Sequence, residues 1–363
     1  MAAGGPTVRL SSGKDMPLVG LGTWQSPPEK TIAAIKTAVQ NGYRMIDTAN
    51  DYGNEPDIGD ALVELIEKDK TVKREELFIQ SKLWNTNHRK DHVRGDLMAT
   101  LEELKTPYLD SFIIHWPQAC PATPGGALAL RRDGCYTKPE KEGGLFPLGD
   151  DKRYSTDVES HYLETWRAME QLVDEGLIKS IGVSNFNRMQ LLEVYDNAGI
   201  KPTINQIECH PYLQQKDMYD FCRAYDIYVQ AFSPLGSGGR GSTGSTLLAG
   251  GVPRPGMEVL ANPYIKELAD KHKKSPAQII LNWHVTRGVS CIPKSQTPSR
   301  IIENFSIFDF KLSDEEMRGF DKLNVGWRAL LWEQTSHHPD YPFKDEIPSP
   351  FKIDWSFVAD NRL

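Results

Sequence analysis

The chain has 363 residues, 39% hydrophobic and 25% charged, and its 42 basic and 49 acidic residues give a formal net charge of −7. This composition supports a sizeable buried core and excludes both a disordered chain and a small disulfide scaffold. The negative charge offers no general attraction to nucleic acid or to an anionic membrane. The sequence contains no apolar stretch long enough to span a bilayer and no secretory signal, so we expect a cytoplasmic protein.

Eight short apolar runs alternate with amphipathic stretches of helical period, which is the main indication of the fold. The runs predict buried strands at residues 18–21, 43–46, 77–79, 111–114, 178–183, 203–207, 227–232 and 289–292. The helical patterns cover residues 29–40, 57–68, 91–105, 159–174, 188–197, 216–224, 264–271 and 297–304, the last opened by a Thr-Pro pair at the cap and first helical position.

Eight strand–helix units with short connections predict a parallel α/β sheet that closes into a (β/α)8 TIM barrel. A doubly wound sheet is the alternative. It is disfavoured because Gly20-Leu21-Gly22 is followed by Thr23 and Trp24, not by the third glycine of a dinucleotide fingerprint. Residues 8–18 predict an N-terminal β-hairpin that would plug the barrel floor. We therefore predict a single barrel domain over residues 1–363.

Three connections are too long for simple turns: residues 117–157, residues 234–262 and the C-terminal tail 325–363. The first two follow the carboxyl ends of strands four and seven, the face on which barrel enzymes carry their active sites. Loops of such length inside a compact domain are usually functional or disordered. We expect them to surround the active site, with a tolerated surface insertion as the alternative for the first loop.

Four polar side chains of different kinds follow strands two, three and four. Asp47 and Tyr52 come after strand two, Lys82 ends strand three and His115 follows strand four. An unpaired aspartate or lysine at the rim of an apolar barrel is costly, so Asp47 and Lys82 are expected to form a salt bridge, which could be merely structural. With Tyr52 in reach, the ammonium would lower the phenol's pKa from about 10 and make it a usable general acid.

These residues and their surroundings resemble the aldo-keto reductase superfamily, with aldose and aldehyde reductases as the nearest pattern. Asp47, Tyr52, Lys82 and His115 stand at the positions of the family's catalytic tetrad, within IDTANDYGNE, SKLWN and IIHWP. Further matching strings, spread over residues 7–345, are GLGTW, EGLIKSIGVSNF, INQIECHPY, FSPLG and IPKSQTPSRIIEN.

The resemblance implies NADPH-dependent reduction of aldehydes or ketones, sugars or sugar-derived carbonyls among them, to alcohols. A hydride would pass from the nicotinamide to the carbonyl carbon, and Tyr52 would protonate the oxygen. Lys82 and Asp47 would lower the pKa of Tyr52, and a neutral His115 would orient the carbonyl. We expect a small-molecule carbonyl as the substrate and a monomer as the working unit, with no nucleic acid and no membrane as partner.

The resemblance also implies a set of cofactor-binding residues. Amides and hydroxyls after strands five and six would hold the nicotinamide carboxamide, and Phe232 would stack on the ring. Residues after strand seven, continuing into the loop from Gly238 to Ser242, would close over the pyrophosphate; a linker without phosphate contact is the alternative. The full set before strand eight is Thr23, Trp24, Asp47, Ser184, Asn185, Gln206, Phe232, Ser233, Leu235 and Ser237.

A second group of candidate cofactor residues lies around the start of the last helical pattern. It consists of Lys294, Ser295, Thr297, Arg300, Glu303 and Asn304. A helix N-terminus with a lysine and an arginine is a ready anion site. NADP carries a 2′-phosphate that NAD lacks, so we expect NADPH/NADP+ as the cofactor. Solvated charges at a helix start are the alternative interpretation.

Aromatic residues after the strands indicate an apolar substrate pocket. In the family, such positions line a pocket above the nicotinamide, and we expect it to contain Trp24, Trp84, His115, Trp116 and Trp332, with Trp327 as a further candidate. Ordinary core packing is the alternative. The first long loop and the tail are longer than the family's common pattern, which leaves the substrate open.

Other features favour simpler interpretations. The cysteines at positions 120, 135, 209, 222 and 291 have neither disulfide nor metal spacing, and we expect reduced, mostly buried thiols. Cys209-His210 and His337-His338 lack further ligands at plausible spacing, so no metal is expected. A basic cluster in the first loop could attract an anionic substrate but is more typical of solvated surface; it comprises Arg131, Arg132, Lys138 and Lys141.

Two other functions remain open. An aldolase-like lyase would form a Schiff base on Lys82 and need no nicotinamide. It is disfavoured because Asp47 would keep Lys82 protonated. A cofactor-sensing subunit of an ion channel, as some barrels of this superfamily are, would turn over very slowly within an assembled oligomer. The loop and tail pattern resembles the soluble reductases better.

Overall fold

A computed structural model of the chain describes residues 4–24, 26–122, 145–147, 153–237 and 258–344. Within this part, an antiparallel hairpin of β1 (Thr7–Arg9) and β2 (Asp15–Pro17) precedes a sheet of eight parallel strands. These strands are β3 (Leu21–Gly22), β4 (Met45–Asp47), β5 (Phe78–Leu83), β6 (Ser111–Ile114), β7 (Ile181–Ser184), β8 (Ile204–Glu208), β9 (Tyr228–Phe232) and β10 (Ser290–Cys291).

Helices follow the strands and cover the outside of the sheet. They are α1 (Pro28–Gln40), α2 (Glu55–Val63), α3 (Lys90–Glu103), α4 (Tyr162–Asp174), α5 (Arg188–Asn197), α6 (Lys216–Ala224), α7 (Pro263–His272), α8 (Pro276–Thr286), α9 (Pro298–Phe305) and α10 (Asp314–Asp321). A π-helical turn (Glu64–Lys68) continues α2, and 3-10 turns include Asn50–Tyr52 and Glu333–Thr335.

The sheet closes into a barrel because its first and last strands meet. The strand order follows the chain from β3 to β10, and parallel bridges join Val19 to Cys291 and Gly22 to Lys294. A β-carbon at Gly22 would lie 2.8 Å from the carbonyl oxygen of Ile292, so the close approach of these strands requires glycine there. The predicted (β/α)8 barrel with an N-terminal hairpin is confirmed.

The hairpin covers the floor of the barrel. Met16 of β2 is fully buried in one cluster with Met45, Phe78, Ile204 and Ile292. The rest of the core lies mainly between the strands and the surrounding helices, where parallel strands are buried on both faces. No helix among the described residues has the length and apolarity that crossing a bilayer requires.

Two helices of the structure are absent from the sequence prediction. In α8 every residue from Gln278 to His284 is buried, and the polar side chains of Gln278 and Asn282 bond to neighbouring backbone instead of solvent. The segment therefore lacks the clear division into an apolar and an exposed face on which the prediction depends. The short α10 is capped reciprocally by Ser313 and Glu316, a pattern that could have revealed it. Thr297 occupies the predicted cap position of α9, but its side chain makes no capping hydrogen bond.

Candidate active site

Four of the predicted site residues meet at the carboxyl end of the barrel. Asp47 is the last residue of β4, Lys82 lies near the end of β5, and His115 directly follows β6. Tyr52 ends the 3-10 turn Asn50–Tyr52, which carries the chain from β4 towards α2. Since the carboxyl ends of parallel strands share one edge, these local positions bring the four side chains together.

The Lys82 ammonium lies at the centre of this group. Its Nζ is 2.8 Å from Asp47 Oδ2, 2.8 Å from the carbonyl oxygen of Thr48 and 3.2 Å from the hydroxyl oxygen of Tyr52. The side chain of Lys82 is fully buried and that of Asp47 nearly so. Three acceptors match the three hydrogens of the ammonium, which makes a buried charge at this position tolerable. The predicted salt bridge is confirmed, with Tyr52 in reach.

The second carboxylate oxygen of Asp47 faces amides that the sequence analysis did not single out as a group. Asp47 Oδ1 accepts hydrogen bonds from Nε2 of Gln80 at 2.7 Å and of Gln206 at 2.9 Å. Oε1 of Gln230 accepts from the same two nitrogens at 2.6 Å each. All three glutamines are buried inside the barrel. A glutamine within an apolar run, as in FIQ and YVQAF, was the available indication of this network.

His115 has a carboxylate neighbour that the sequence analysis also missed. Its Nδ1 lies 3.1 Å from Oδ1 of Asp51, whose side chain is 1% exposed. The His115 ring is edge-on to Trp84 at 5.1 Å and to Tyr52 at 5.9 Å between centroids. The backbone oxygen of His115 accepts a hydrogen bond from Nδ2 of Asn185 at 3.0 Å. The imidazole is thereby held beside the Tyr52 phenol.

Three of the predicted pocket tryptophans form one aromatic cluster next to His115. Trp332 stacks on Trp84 at 5.5 Å and meets Trp116 edge-on at 5.1 Å between centroids. All three are nearly inaccessible, and Trp84 Nε1 donates to the carbonyl oxygen of Leu145 at 2.7 Å. Trp24 is half-buried after β3. Trp327 packs elsewhere, in a cluster with Tyr212 and α7, α8 and α10 residues.

The tail segment that carries Trp332 is tied to β8. The buried carboxylate of Glu208 accepts backbone hydrogen bonds from Ala329 at 2.7 Å and from Leu330 at 2.8 Å. Nε2 of His210 lies 3.0 Å from Glu208 Oε1. Two residues beyond this attachment, Trp332 adopts a left-handed backbone conformation, with φ of 48°. From the sequence alone, His210 is considered only as a possible metal ligand, and Glu208 is not singled out.

The predicted carboxamide-binding residues lie side by side at the ends of β7 and β8. Asn185 has a positive φ of 62°, and its Nδ2 donates to Ser184 Oγ at 3.1 Å. Its Oδ1 is buried without a partner among the described residues. Gln206 gives both amide hydrogens to Asp47 and Gln230, so its Oε1 is the atom left for a ligand. Both amides therefore present acceptors that suit a primary carboxamide.

The remaining predicted cofactor residues lie in three places around the rim. Thr23 donates from its hydroxyl to the backbone oxygen of Asp47 at 3.0 Å. After β9, Ser233 and Ser237 have positive φ, and Phe232 and Leu235 are partly buried. The continuation from residue 238 to 257, with the predicted glycine-rich loop, lies outside the described residues, as do the basic residues of the first long loop.

The last predicted group surrounds the start of α9. Burial and the nearby Lys30 charge lower the pKa of Lys294 from its ordinary value. Neither Lys294 nor Arg300 forms an ion pair with any residue that the structure describes. Ser295 is buried and accepts from the backbone nitrogen of Thr297 at 3.2 Å, while Glu303 and Asn304 lie in the next turn. Two cations without ion-pair partners among the described residues, Lys294 and Arg300, suit an anionic ligand.

Comparisons with known proteins agree with this geometry. Residues 18–325 match the model of the Aldo/keto reductase family. The chain is 43% identical over 348 residues to aldo-keto reductase family 1 member A1 of Cricetulus griseus, across 93% of this chain and 98% of that protein. It is 42% identical over 347 residues to the Homo sapiens protein of that name, with the same coverage.

The structural comparison points to the same group. The structure described as the aldose reductase from Schistosoma japonicum superposes with a TM-score of 0.81 at 37% sequence identity, covering 94% of this chain and 100% of that one. The match to the family model includes every strand of the barrel and the residues around Lys82. The chain belongs to the aldo-keto reductase family and is thus an oxidoreductase that acts on carbonyl or alcohol groups.

Proposed function

We propose that this protein reduces aldehydes and ketones to alcohols with NADPH, and that Tyr52 donates the proton. The observation that carries the proposal is the position of Lys82 Nζ, 2.8 Å from Asp47 and 3.2 Å from the Tyr52 hydroxyl. An ammonium beside a phenol favours the phenolate and so makes the phenol a better acid. Asp47 balances the charge of the ammonium, and both side chains are buried.

The residues fit a nicotinamide cofactor. The unpaired Oδ1 of Asn185 and the Oε1 of Gln206 would accept hydrogen bonds from the carboxamide and orient the ring. Phe232 would offer its ring face. When bound, the cofactor supplies the hydride. The barrel supplies the proton and the polar groups around the substrate oxygen.

The proton transfer follows from the geometry of the tetrad. As negative charge develops on the substrate oxygen, Tyr52 gives it the phenolic proton, and the resulting phenolate is stabilised by the adjacent Lys82 ammonium. His115, beside Tyr52, orients the carbonyl oxygen through a ring nitrogen. Asp47 balances the charge of Lys82 throughout the step. Once water has returned a proton to Tyr52, the net charge of the four residues is the same as before the reaction.

We assign the preference for NADPH to Lys294 and Arg300. Hydrogen bonds between charged groups contribute about 1.5 to 3 kcal/mol each, so two of them favour the 2′-phosphate by about two to four powers of ten.

We propose small aldehydes and ketones as substrates, including sugars and sugar-derived carbonyls. Relatives of this chain carry the names aldo-keto reductase and aldose reductase. The cluster of Trp84, Trp116 and Trp332, which is nearly inaccessible, would back the substrate site with apolar side chains, while His115, with Asp51 behind it, would supply the polar group beside the reacting oxygen.

Cofactor titration is the test to make first. We expect quenching of tryptophan fluorescence with tight binding of NADPH and much weaker binding of NADH at the same salt concentration, followed by NADPH oxidation with a panel of aldehydes. Absence of binding in both fluorescence and calorimetry would overturn the proposal. The lyase alternative would then be tested by borohydride trapping on Lys82, although the three acceptors around its ammonium disfavour a free amine.

A further inference from the structure

We propose that Gln80 and Gln230 are positioning residues, which act on Tyr52 through Asp47 and Lys82. Together with Gln206 they solvate the Asp47 carboxylate inside the barrel and fix the direction in which it faces Lys82. The inference rests on the function proposed above, because it concerns the group that prepares Tyr52 for proton transfer.

The first observation is the complete pairing of the Asp47 carboxylate. One oxygen accepts from Lys82 at 2.8 Å, and the other accepts from Gln80 at 2.7 Å and Gln206 at 2.9 Å. The side chain of Asp47 is 2% exposed, so water cannot provide these bonds. A carboxylate in such a place is stable only when protein dipoles replace its hydration shell. The two amides perform that replacement.

Gln230 determines how the other two glutamines face. Its Oε1 accepts one hydrogen bond from Gln80 and one from Gln206, both at 2.6 Å. Its own Nε2 points towards sulfur atoms, 3.5 Å from Met45 and 3.7 Å from Met16. If either amide were reversed, its oxygen would face both Asp47 Oδ1 and Gln230 Oε1, which would be repulsive. Gln230 therefore selects the donating orientation of both neighbours.

An unsatisfied atom supports this interpretation. Gln80 Oε1 is buried and has no partner among the described residues. Burying an amide oxygen without a hydrogen bond costs free energy, so the orientation of Gln80 is not the one that would best satisfy its own amide. Both of its hydrogens are directed at acceptors, one on Asp47 and one on Gln230. The orientation of the Gln80 amide is thus determined by the hydrogen bonds that it donates, including the one to the Asp47 carboxylate.

The barrel register brings the network together. Gln80 is the register partner of Asp47 on adjacent strands, and Gln230 is the register partner of Gln206 on another adjacent pair. The two pairs meet across the barrel interior, directly above an apolar floor that includes Met16. Apolar side chains could fill this space without any polar cost, so the presence of three amides is explained by the charge above them.

The consequence for the reaction concerns preorganisation. Lys82 Nζ is held between Asp47 and Tyr52, and a carboxylate free to rotate would no longer fix that position. Among the described residues, the groups hydrogen-bonded to the Asp47 carboxylate are Lys82, Gln80 and Gln206, and Tyr52 lies beyond Lys82. Removing the Gln80 amide should therefore lower kcat without removing a contact to either ligand.

Gln80→Met tests the proposal, with Thr203→Val as the matched control. Thr203 is buried, donates to the carbonyl oxygen of Ile181 at 3.0 Å and lies at the opposite end of β8 from the site. We expect kcat to fall about tenfold or more in Gln80→Met, with KM and the NADPH dissociation constant close to those of the parent.

Gln230→Met provides a second test of the proposal. Because Gln230 contacts Asp47 only through the other glutamines, we expect a smaller fall in kcat, and the double variant should lose less than the product of the two single losses. An unchanged kcat in Gln80→Met, or a fall in kcat no larger than that of Thr203→Val, with an active parent, would overturn the inference. An inactive parent would instead overturn the proposed function.

A measurement on the protein without cofactor keeps the test independent of activity. The side-chain amide hydrogens of Gln80 and Gln206 should persist in deuterated buffer far longer than those of exposed glutamines, in NMR spectra assigned with Gln80→Met and Gln206→Met. Exchange as fast as that of an exposed amide would show that the network does not hold in solution and would also overturn the inference.

Discussion

The carboxylate of Asp51 lies 3.1 Å from Nδ1 of His115, and both side chains are almost completely buried. Neither atom has a hydrogen-bond partner among the described residues, so the carboxylate acts on the imidazole through its charge at close range. We expect Asp51→Asn to lower kcat/KM for an aldehyde by about tenfold or more, since the ring loses the charged group that faces it. NADPH titration should give an unchanged dissociation constant. An unchanged kcat/KM would contradict a role for Asp51.

Tyr52→Phe removes the phenolic hydroxyl, and with it the proton, but keeps the aromatic ring. The variant should bind NADPH with near-normal affinity and lose at least two to three powers of ten in kcat, the typical contribution of a preorganised donor. Tyr264→Phe, which removes a phenolic hydroxyl bonded to the backbone of Glu316, is the control and should retain activity. If Tyr52→Phe lost cofactor binding and reduction in equal measure, the assigned role of the phenol would be wrong.

Lys294→Met should weaken NADPH binding by about tenfold or more while leaving NADH binding unchanged, because only NADPH carries the 2′-phosphate. The measurement is the dissociation constant of each cofactor at fixed ionic strength. Lys216→Met removes an exposed lysine that pairs with Asp220, and it should affect neither cofactor. If Lys294→Met weakened the binding of NADPH and NADH equally, the Lys294 charge would not act on the 2′-phosphate.

Glu208→Gln should loosen the tail at its attachment to β8. The amide can accept only one of the two backbone hydrogen bonds, so we expect a loss of about 1–3 kcal/mol in the free energy of unfolding and a raised KM for bulky aldehydes. Glu316→Gln is a suitable control, because its carboxylate also accepts a backbone hydrogen bond, from Ser313 at 2.6 Å, but far from the pocket. A raised KM in both variants would show a general effect of lower stability.

His88 should make the protein less stable in acid. Burial, and next the neighbouring His338, lower its pKa from 6.5 to about 3. Between these values the unfolded chain binds a proton that the folded chain does not, so the free energy of unfolding falls as the pH falls, by up to about 1.4 kcal/mol per pH unit. Urea titrations from pH 7 to pH 4 should show a shallower fall in His88→Leu. Because His284 remains in both proteins, the difference isolates His88; identical slopes would contradict the prediction.

Much of the fold could be predicted because parallel strands buried on both faces appear as short apolar runs. Helices with one polar face alternate with these runs, and both patterns are local. The largely buried α8 was missed for the same reason, since a helix without an exposed polar face loses the period that identifies it.

The candidate site divides in a similar way. The meeting of Asp47, Tyr52, Lys82 and His115 was predictable, because each residue lies at a strand end or just beyond one. Their roles remain predictions. The partners of those residues were not predicted: Asp51, Gln80, Gln230 and Glu208 matter through contacts across the barrel or with the tail, between residues far apart in the chain. Spacing along the chain does not encode such contacts.

The attachment of the tail at Glu208 separates the residues that align the reacting groups from those of the tail that approach the substrate pocket. Gln206 and Glu208 lie two residues apart on β8, one directed at the Asp47 network and the other at the backbone of Ala329 and Leu330. Beyond this point the tail is held by further hydrogen bonds, from Gln118 to Thr335 and from Asn187 and Gln190 to the backbone of Pro342 and Asp340, and none of these bonds involves the tetrad. Insertions and substitutions after Leu330 can therefore diversify the accepted substrates over evolutionary time while the alignment of the reacting groups is inherited unchanged.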